Sequence, residues 1–232
     1  MHNLAVFNWS GGKDSTLALH YILLERKFNI HCLLTTVNDS FDRVAMHGVR
    51  ALLLEQQAAK LQLPLHQVRL PEMPDMKTYE DAIATHFHIL RNQGVENSVY
   101  GDIFLEDLKI YREEQMDKLG MKAIFPLWKR DSRELINEFI SLGYKTIIVC
   151  AKDGLQEFCG RVIDHSFLAD LPVGVDPCGE NGEFHTFVFD GPIFKEPIDF
   201  KLGELVYKNL STSSKSDEVL GYWYIDLIPI SS

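Results

Sequence analysis

The chain is expected to fold as an α/β protein: a mostly parallel sheet covered on both faces, followed by a smaller α+β domain. Three observations lead there. The first half alternates short apolar, β-branched runs with segments whose apolar residues recur at helical spacing, the pattern of strands joined by crossover helices. A glycine-rich turn sits between the first strand and the first helix. From about residue 128 the rhythm changes, and from Pro172 Gly, Pro and aromatic residues surround strand-like patches.

Leu4 to Trp9 is a short apolar run closed by Ser-Gly-Gly and reads as a buried strand. Asp14 to Arg26 places Leu17, Tyr21 and Leu24 on one helical face. Ile30 to Val37 is β-branched and strand-like. Ala45 to Leu61 puts Val49, Leu52, Leu53 and Ala59 at helical spacing and is expected to be one helix. Leu65 to Leu70 is a strand closed by Pro71 and Pro74, and Met76 to Asn92 a helix. Ser98 to Tyr100, Phe104 to Leu119 and Ala123 to Phe125 continue as strand, helix, strand. In the second part, Asp131 to Leu142 is a helix with Asp131 as a candidate N-cap, Lys145 to Ala151 a strand, and Asp164 to Leu171 a short helix. Phe184 to Phe189, Phe200 to Tyr207 and Gly221 to Leu227 are strands, and Ser211 to Ser216 a polar turn. The expected division is residues 1–127 and 128–232.

Composition excludes several classes. Hydrophobic residues at 46% and charged residues at 24% are ordinary for a folded globular chain, not for a disordered or collagen-like one. No apolar run is long enough to span a bilayer, and the start lacks a signal-peptide pattern. A net charge of -10 argues against nonspecific nucleic-acid binding, which needs a basic face. Cys32, Cys150, Cys159 and Cys178 form no C-x-x-C pair, which disfavours a zinc ribbon and fits reduced thiols in a cytoplasm. Homo-oligomerisation is compatible with the chain and not specified by it.

The strongest local motif is Ser10-Gly11-Gly12-Lys13-Asp14-Ser15. Two glycines let backbone N–H groups converge, and the helix N-terminus adds positive potential. Ser10 and Ser15 add hydroxyls and Lys13 a point charge, so the turn suits phosphate oxygens. Asp14 orients the loop or holds Mg²⁺ through water. Asp14 after Lys13 excludes the common mononucleotide P-loop, which needs Ser or Thr there. The competing reading is a tight turn capped by serines.

Val99-Tyr100-Gly101-Asp102-Ile103 ends a strand, with Glu106, Tyr111, Arg112 and Glu113 close behind. Gly101 lets the backbone turn sharply, and Asp102 then faces phosphates or their Mg²⁺; otherwise Asp102 caps the next helix. Glu106, Arg112 and Glu113 are either substrate contacts or a solvated ion-pair face. His47-Gly48 follows the second strand and is either a nucleotide contact or a surface pair. Asp176 to Thr186 carries glycines and carboxylates that suit an ammonium group or Mg²⁺, or else it is a surface turn. Cys178 within it reads as structural, Trp9 as core packing, and His86 with His88 as no metal pair, since they lie on different helical faces.

Ser-Gly-Gly-x-Asp-Ser after the first strand resembles the PP-loop of ATP pyrophosphatases. With Val99 to Ile103, Pro126-Leu127-Trp128, Asp176 to Thr186 and Asp190-Gly191-Pro192, the chain resembles the diphthine–ammonia ligase family over most of its length. That resemblance implies a doubly wound sheet of PP-loop type with ATP across the carboxyl ends of the strands. It implies an adenylating amide ligase that activates a carboxylate, releases pyrophosphate and AMP, and uses ammonia. Full members amidate diphthine, a modified histidine of elongation factor 2. The residues expected to act follow from it: Asp14, Asp102 and Glu183 in catalysis; Ser10, Gly11, Gly12, Lys13, Asp14, Ser15, His47 and Gly101 on ATP. Glu106, Arg112, Glu180 and Glu183 are expected on the substrate, and Asp14 with Asp102 on Mg²⁺. The alternatives are an RNA-modifying PP-loop enzyme and a nonenzymatic adenine-nucleotide sensor. The missing C-x-x-C pair and the acidic charge oppose a thiolase, and no RNA-binding module is recognisable.

Overall fold

The computed structural model describes residues 3–45, 47–209 and 221–230. The polar stretch Ser211 to Ser216 lies outside them. Five parallel strands, β1 (Leu4–Asn8), β2 (Asn29–Asn38), β4 (Leu65–Leu70), β5 (Asn97–Val99) and β6 (Lys122–Ile124), pair in the order β4-β2-β1-β5-β6. The chain moves outward from β1 to β2 and β4, then returns to β5 on the other side. The sheet is therefore doubly wound, with its switch point between β1 and β5, where open α/β sheets present a crevice at the strands' carboxyl ends. Helices α1 (Lys13–Glu25), α2 (Ala51–Leu61), α3 (Met76–Asn92) and α4 (Glu106–Lys118) make the crossovers. A second sheet is antiparallel, in the order β8 (Phe184–Asp190), β7 (Lys145–Lys152), β10 (Gly221–Pro229), β9 (Phe200–Asn209). Helices α5 (Ser132–Ser141) and α6 (His165–Asp170) and a 3₁₀ turn at Gln156–Phe158 complete it.

Alternation along β1 divides the core. Ala5, Phe7 and Trp9 enter one apolar cluster and Val6 the other, as a strand buried on both faces requires. The Val6 side is closed by Phe87 and Leu90 of α3 and Met116 of α4. The Phe7 side continues without a break through Leu17 and Leu19 of α1 to Phe139, Phe167, Phe187 and Val188. Helix α1 thus lies against both sheets, and Lys13, Ser15 and Thr16 are buried on it beside its leucines. A side chain of this size, fully buried, contributes about 1.5–3 kcal/mol, so the shared cluster fastens the second sheet to the first.

Asp131 accepts a hydrogen bond from the Glu134 amide (2.9 Å), the N-cap expected of it. The stretch from Ala45 behaves differently from expectation. Strand β3 (Arg43–Val44) folds back antiparallel on the end of β2, and the helix begins only at Ala51. Gly48 at φ +69° closes the intervening turn, and a Cβ there would stand 2.7 Å from the Tyr224 ring. Arg43 and Arg50 both bind Asp226 of β10, at 2.8 and 2.7 Å. Helical spacing of Val49 with Leu52 is real, but tertiary pairing overrides it.

Candidate active site

One cleft of about 820 Å³ opens at the switch point. Its floor is the Ser10–Ser15 loop at the end of β1. Leu34, Thr35 and Thr36 of β2, with His47, form one wall; Tyr100, Gly101 and Asp102 after β5 form another; the loop from Cys178 to Thr186 forms the roof.

The phosphate-type loop is held by its own hydroxyls. Ser15 Oγ and Thr16 Oγ1 both donate to the Gly12 carbonyl (2.9 Å each), and Ser10 Oγ lies 3.1 Å from Ser15 Oγ. Gly11 has φ +77°, the left-handed backbone that favours glycine. Gly12 is the N-cap of α1 and provides no side-chain cap, while Ser10 Oγ accepts from the Gly12 amide (3.3 Å). The Lys13 amide instead donates to Thr186 Oγ1 (3.0 Å), which ties the second sheet to the helix N-terminus. Lys13 Nζ is 2.7 Å from Asp14 Oδ2 and 5.6 Å from the centre of the Phe184 ring. Burial is the largest influence and lowers the lysine pKa, but the Asp14 charge, the Asp14 hydrogen bond and the other acidic neighbours together outweigh it, and the net shift is upward. Burial raises the pKa of Asp14, against the pull of Lys13.

Gly101 serves close approach, not a turn with positive φ. A Cβ there would lie 2.9 Å from the Ser15 amide nitrogen and 3.0 Å from Ser15 Cα. Asp102 does not cap the following helix, whose N-cap is Leu105. Its carboxylate is held by Arg112, with Nε 2.8 Å from Oδ2, and the Arg112 guanidinium stacks 4.4 Å from the Tyr100 ring centre. Asp102 and Arg112 both line the cleft. Glu106 does not; it is exposed, 3.9 Å from Lys129.

The roof loop sorts its three carboxylates. Asp176 Oδ1 accepts from the Cys178 and Glu180 amides (2.9 and 3.2 Å). Glu183 accepts from the Asp176 and Asn181 amides (3.0 and 2.9 Å). Asp176 and Glu183 therefore build the loop, and Glu183, expected on substrate and in catalysis, is turned into its own turn. Glu180 alone crosses over: its Oε1 accepts from the Ile103 amide (2.9 Å), beside Asp102. Burial and then the Asp14 charge push its pKa up to about 7. Cys178 Sγ donates to the Ser132 carbonyl (3.3 Å), and burial drives its pKa far up, the state of an inert thiol.

His47 Nδ1 is 3.1 Å from the Thr186 carbonyl, an acceptor, so this nitrogen carries the proton. Burial lowers the His47 pKa to about 4, and its ring lies 4.7 Å from His185, lowered by burial to about 3. Both are neutral at pH 7. His86 pairs with His66 of β4 (2.6 Å), not with His88.

Sequence reasoning missed His185 as a cleft residue, and it missed Gln57. Gln57 is fully buried in α2; its Nε2 donates to the Gly11 and Val188 carbonyls (3.0 and 2.7 Å), and its Oε1 accepts from Trp9 Nε1 (2.9 Å). Trp9 is core, 2% exposed. The available signal was a lone amide on the apolar face that carries Leu53, Leu54 and Ala58.

The Glu180 environment predicts a pH effect. A carboxylate whose folded pKa lies above its unfolded value contributes stability that is fully present below the unfolded value of 4.5 and lost as pH rises through about 7. From pH 5 to pH 8 the wild type is expected to lose stability relative to Glu180→Gln, which keeps the Ile103 acceptor without the titration. Urea unfolding at both pH values measures this; curves that differ by the same amount at each would contradict it.

A doubly wound sheet with a glycine-rich phosphate loop at its switch point defines a nucleotide-binding enzyme of PP-loop type. Two family models match the chain, the diphthamide synthase N-terminal domain over residues 2–123 and the diphthamide synthase C-terminal domain over 131–226. The chain belongs to the diphthamide synthase family, and with it to the ATP-dependent ligases. Among curated relatives, the human diphthine–ammonia ligase is 26% identical over 224 residues, covering 85% of this chain and 82% of that protein. The Danio rerio diphthine–ammonia ligase is 30% identical over 134 residues, 55% of this chain and 52% of that protein. The Schizosaccharomyces pombe diphthine–ammonia ligase is 24% identical over 236 residues and covers 89% of this chain but 39% of that protein.

Proposed function

We propose that this chain activates a carboxylate, that of a diphthine side chain, as an acyl-adenylate and passes it to ammonia. The supporting observation is that the phosphate-type loop, the Gly101–Asp102 segment after β5 and Glu180 meet in one cleft although they lie far apart in sequence. Residues 1–127 hold ATP, and residues 128–232 supply the roof that recognises the acyl group. Gly11, Gly12 and the hydroxyls of Ser10 and Ser15 cradle the phosphates, and Lys13 offsets their charge. A carboxylate oxygen attacks the α-phosphorus, the bond to pyrophosphate breaks, and pyrophosphate leaves with the electron pair. The nitrogen of ammonia then bonds to the acyl carbon as the C–O bond to AMP breaks; AMP keeps that pair, and a nitrogen proton passes to solvent. The cleft acts by positioning and by fixed charge. Arg112, held against Tyr100 by Asp102, is placed to orient the acyl group.

Mg²⁺ fits this scheme through the nucleotide. No group of three His, Cys, Asp or Glu side chains among the described residues forms a ready site, and Mg²⁺ is commonly held by one or two carboxylates plus phosphate oxygens. Asp14 suits that role, since it lines the cleft beside the loop and its Oδ2 is on Lys13. Asp102 suits it less, since Arg112 occupies its carboxylate. The ion would supply charge neutralisation on the phosphates. No helix among the described residues is long and apolar enough to cross a membrane, and the four free cysteines suit a reducing cytoplasm, where we place the reaction.

Exchange of labelled pyrophosphate into ATP tests the first half-reaction. It is expected to require elongation factor 2 carrying diphthine and to proceed without ammonium. Exchange that is absent with the modified protein, or equal without it, would remove the adenylation step.

A further inference from the structure

The cleft does not end at Tyr100 and Arg112. Behind them, between α3 and α4, lies a second cavity of about 260 Å³. Asn8, Tyr79, Ile83, Tyr100 and Arg112 line both spaces, so the two share a wall of side chains next to the carboxyl ends of β1 and β5. Water takes about 30 Å³ per molecule in the liquid, so a small hydrated ion fits with room to spare.

The chemistry of the cavity favours a cation. Glu80 lines it, and its Oε1 accepts from Tyr111 Oη and Gln115 Nε2, both at 3.2 Å. These are neutral donors, and no cationic side chain among the described residues pairs with Glu80. Burial and the Glu80 contact push the Tyr111 pKa up to about 12, so its hydroxyl stays a donor to the Glu80 carboxylate. The rings of Tyr79 and Tyr111 line the same space and add π faces, which attract cations. Asn8 spends both amide hydrogens on Ser98 Oγ and the Val99 carbonyl (2.8 and 2.9 Å), which leaves its carbonyl oxygen as an acceptor on the shared wall. The opposing charges are accounted for. Arg112 is committed to Asp102 and stacked on Tyr100, and Lys118 and His88 are exposed at the rim.

We propose that this second cavity is the ammonium site of the ligase: Glu80 holds the ion beside the wall it shares with the nucleotide cleft, and the nitrogen reaches the acyl carbon from there. The assignment rests on the ligase reading above. The bound ammonium ion gives one proton to the Glu80 carboxylate, which returns it to solvent. The ammonia that remains forms the C–N bond as the acyl C–O bond to AMP breaks, with the pair going to AMP and a second proton going to water.

Thallium(I) acetate soaked into crystals of the full chain is a direct probe, because thallium(I) is a univalent cation close to ammonium in size and is located by its anomalous scattering. A peak beside Glu80 is expected in the wild type and none in Glu80→Gln. In steady state with saturating ATP, Glu80→Gln is expected to raise the KM for ammonium chloride about tenfold or more, and Tyr111→Phe to raise it less. Pyrophosphate exchange is expected to stay within about twofold of wild type in both, since that half-reaction consumes no ammonia. A wild type with no exchange overturns the ligase reading. Normal exchange with an unchanged ammonium KM in Glu80→Gln, or a thallium peak absent from the cavity, overturns the ammonium site and leaves the ligase reading standing.

Discussion

Replacing Gln57 with leucine is expected to lower the free energy of unfolding by about 3 kcal/mol. The side chain is fully buried and serves three partners on three elements: Trp9 at the end of β1, Gly11 in the phosphate-type loop and Val188 on β8. Leucine has similar bulk and no polar atoms. The Trp9 Nε1 donor and the Val188 carbonyl would then lose these bonds inside the core, and the Gly11 carbonyl would keep only the Val188 amide (2.9 Å). Each orphaned buried group costs roughly 1–3 kcal/mol, which sets the total. Because the partners span both sheets, ATP affinity should fall along with stability. Urea unfolding, read at a common m-value, gives the number. A loss below about 1 kcal/mol would mean that the three bonds contribute little to joining the loop to its surroundings.

The second large effect is expected from Gly101→Ala. One methyl group would meet backbone, not a side chain: Ser15 N at 2.9 Å, Ser15 Cα at 3.0 Å and the Asp14 carbonyl carbon at 3.1 Å. Backbone at the start of α1 cannot rotate aside, so either β5 or the loop must shift by several tenths of an ångström. The loop is the part that must match phosphate oxygens, and its geometry is set by Gly11, Gly12 and two hydroxyl bonds. ATP affinity is expected to drop at least about tenfold, or about 1.4 kcal/mol, with a smaller change in unfolding midpoint. Calorimetric titration of ATP into the variant measures it. Unchanged affinity in a folded variant would show that the close packing of β5 against the loop has no bearing on the nucleotide.

The parts of this site that were legible in the sequence are local ones. Strand, Ser10 to Ser15 and helix are contiguous, so the phosphate-type loop is visible as a string, and alternating strands and helices announce the parallel sheet. What was not legible depends on direction or on distant pairing. Composition cannot separate Glu180, which crosses to Ile103, from Glu183, which folds back on its own loop; the turns at Gly179 and Gly182, with φ +69° and +82°, decide it. The stretch from Ala45 reads as helix because its apolar spacing is helical. Strand β3 instead pairs with the edge of β2 just before it, and Arg43 and Arg50 on either side are held by Asp226, nearly two hundred residues on. Gln57 looks like a surface residue on a helix until the second sheet covers it.

ATP is expected to be cut between its α and β phosphates to activate an acid. Product analysis tests it most directly: the enzyme with ATP, elongation factor 2 carrying diphthine, and ammonium chloride, followed by chromatographic separation of the nucleotides. AMP and pyrophosphate are expected in equal amounts, one of each per amide formed, and none without the modified protein. ADP and phosphate as the products would contradict the account.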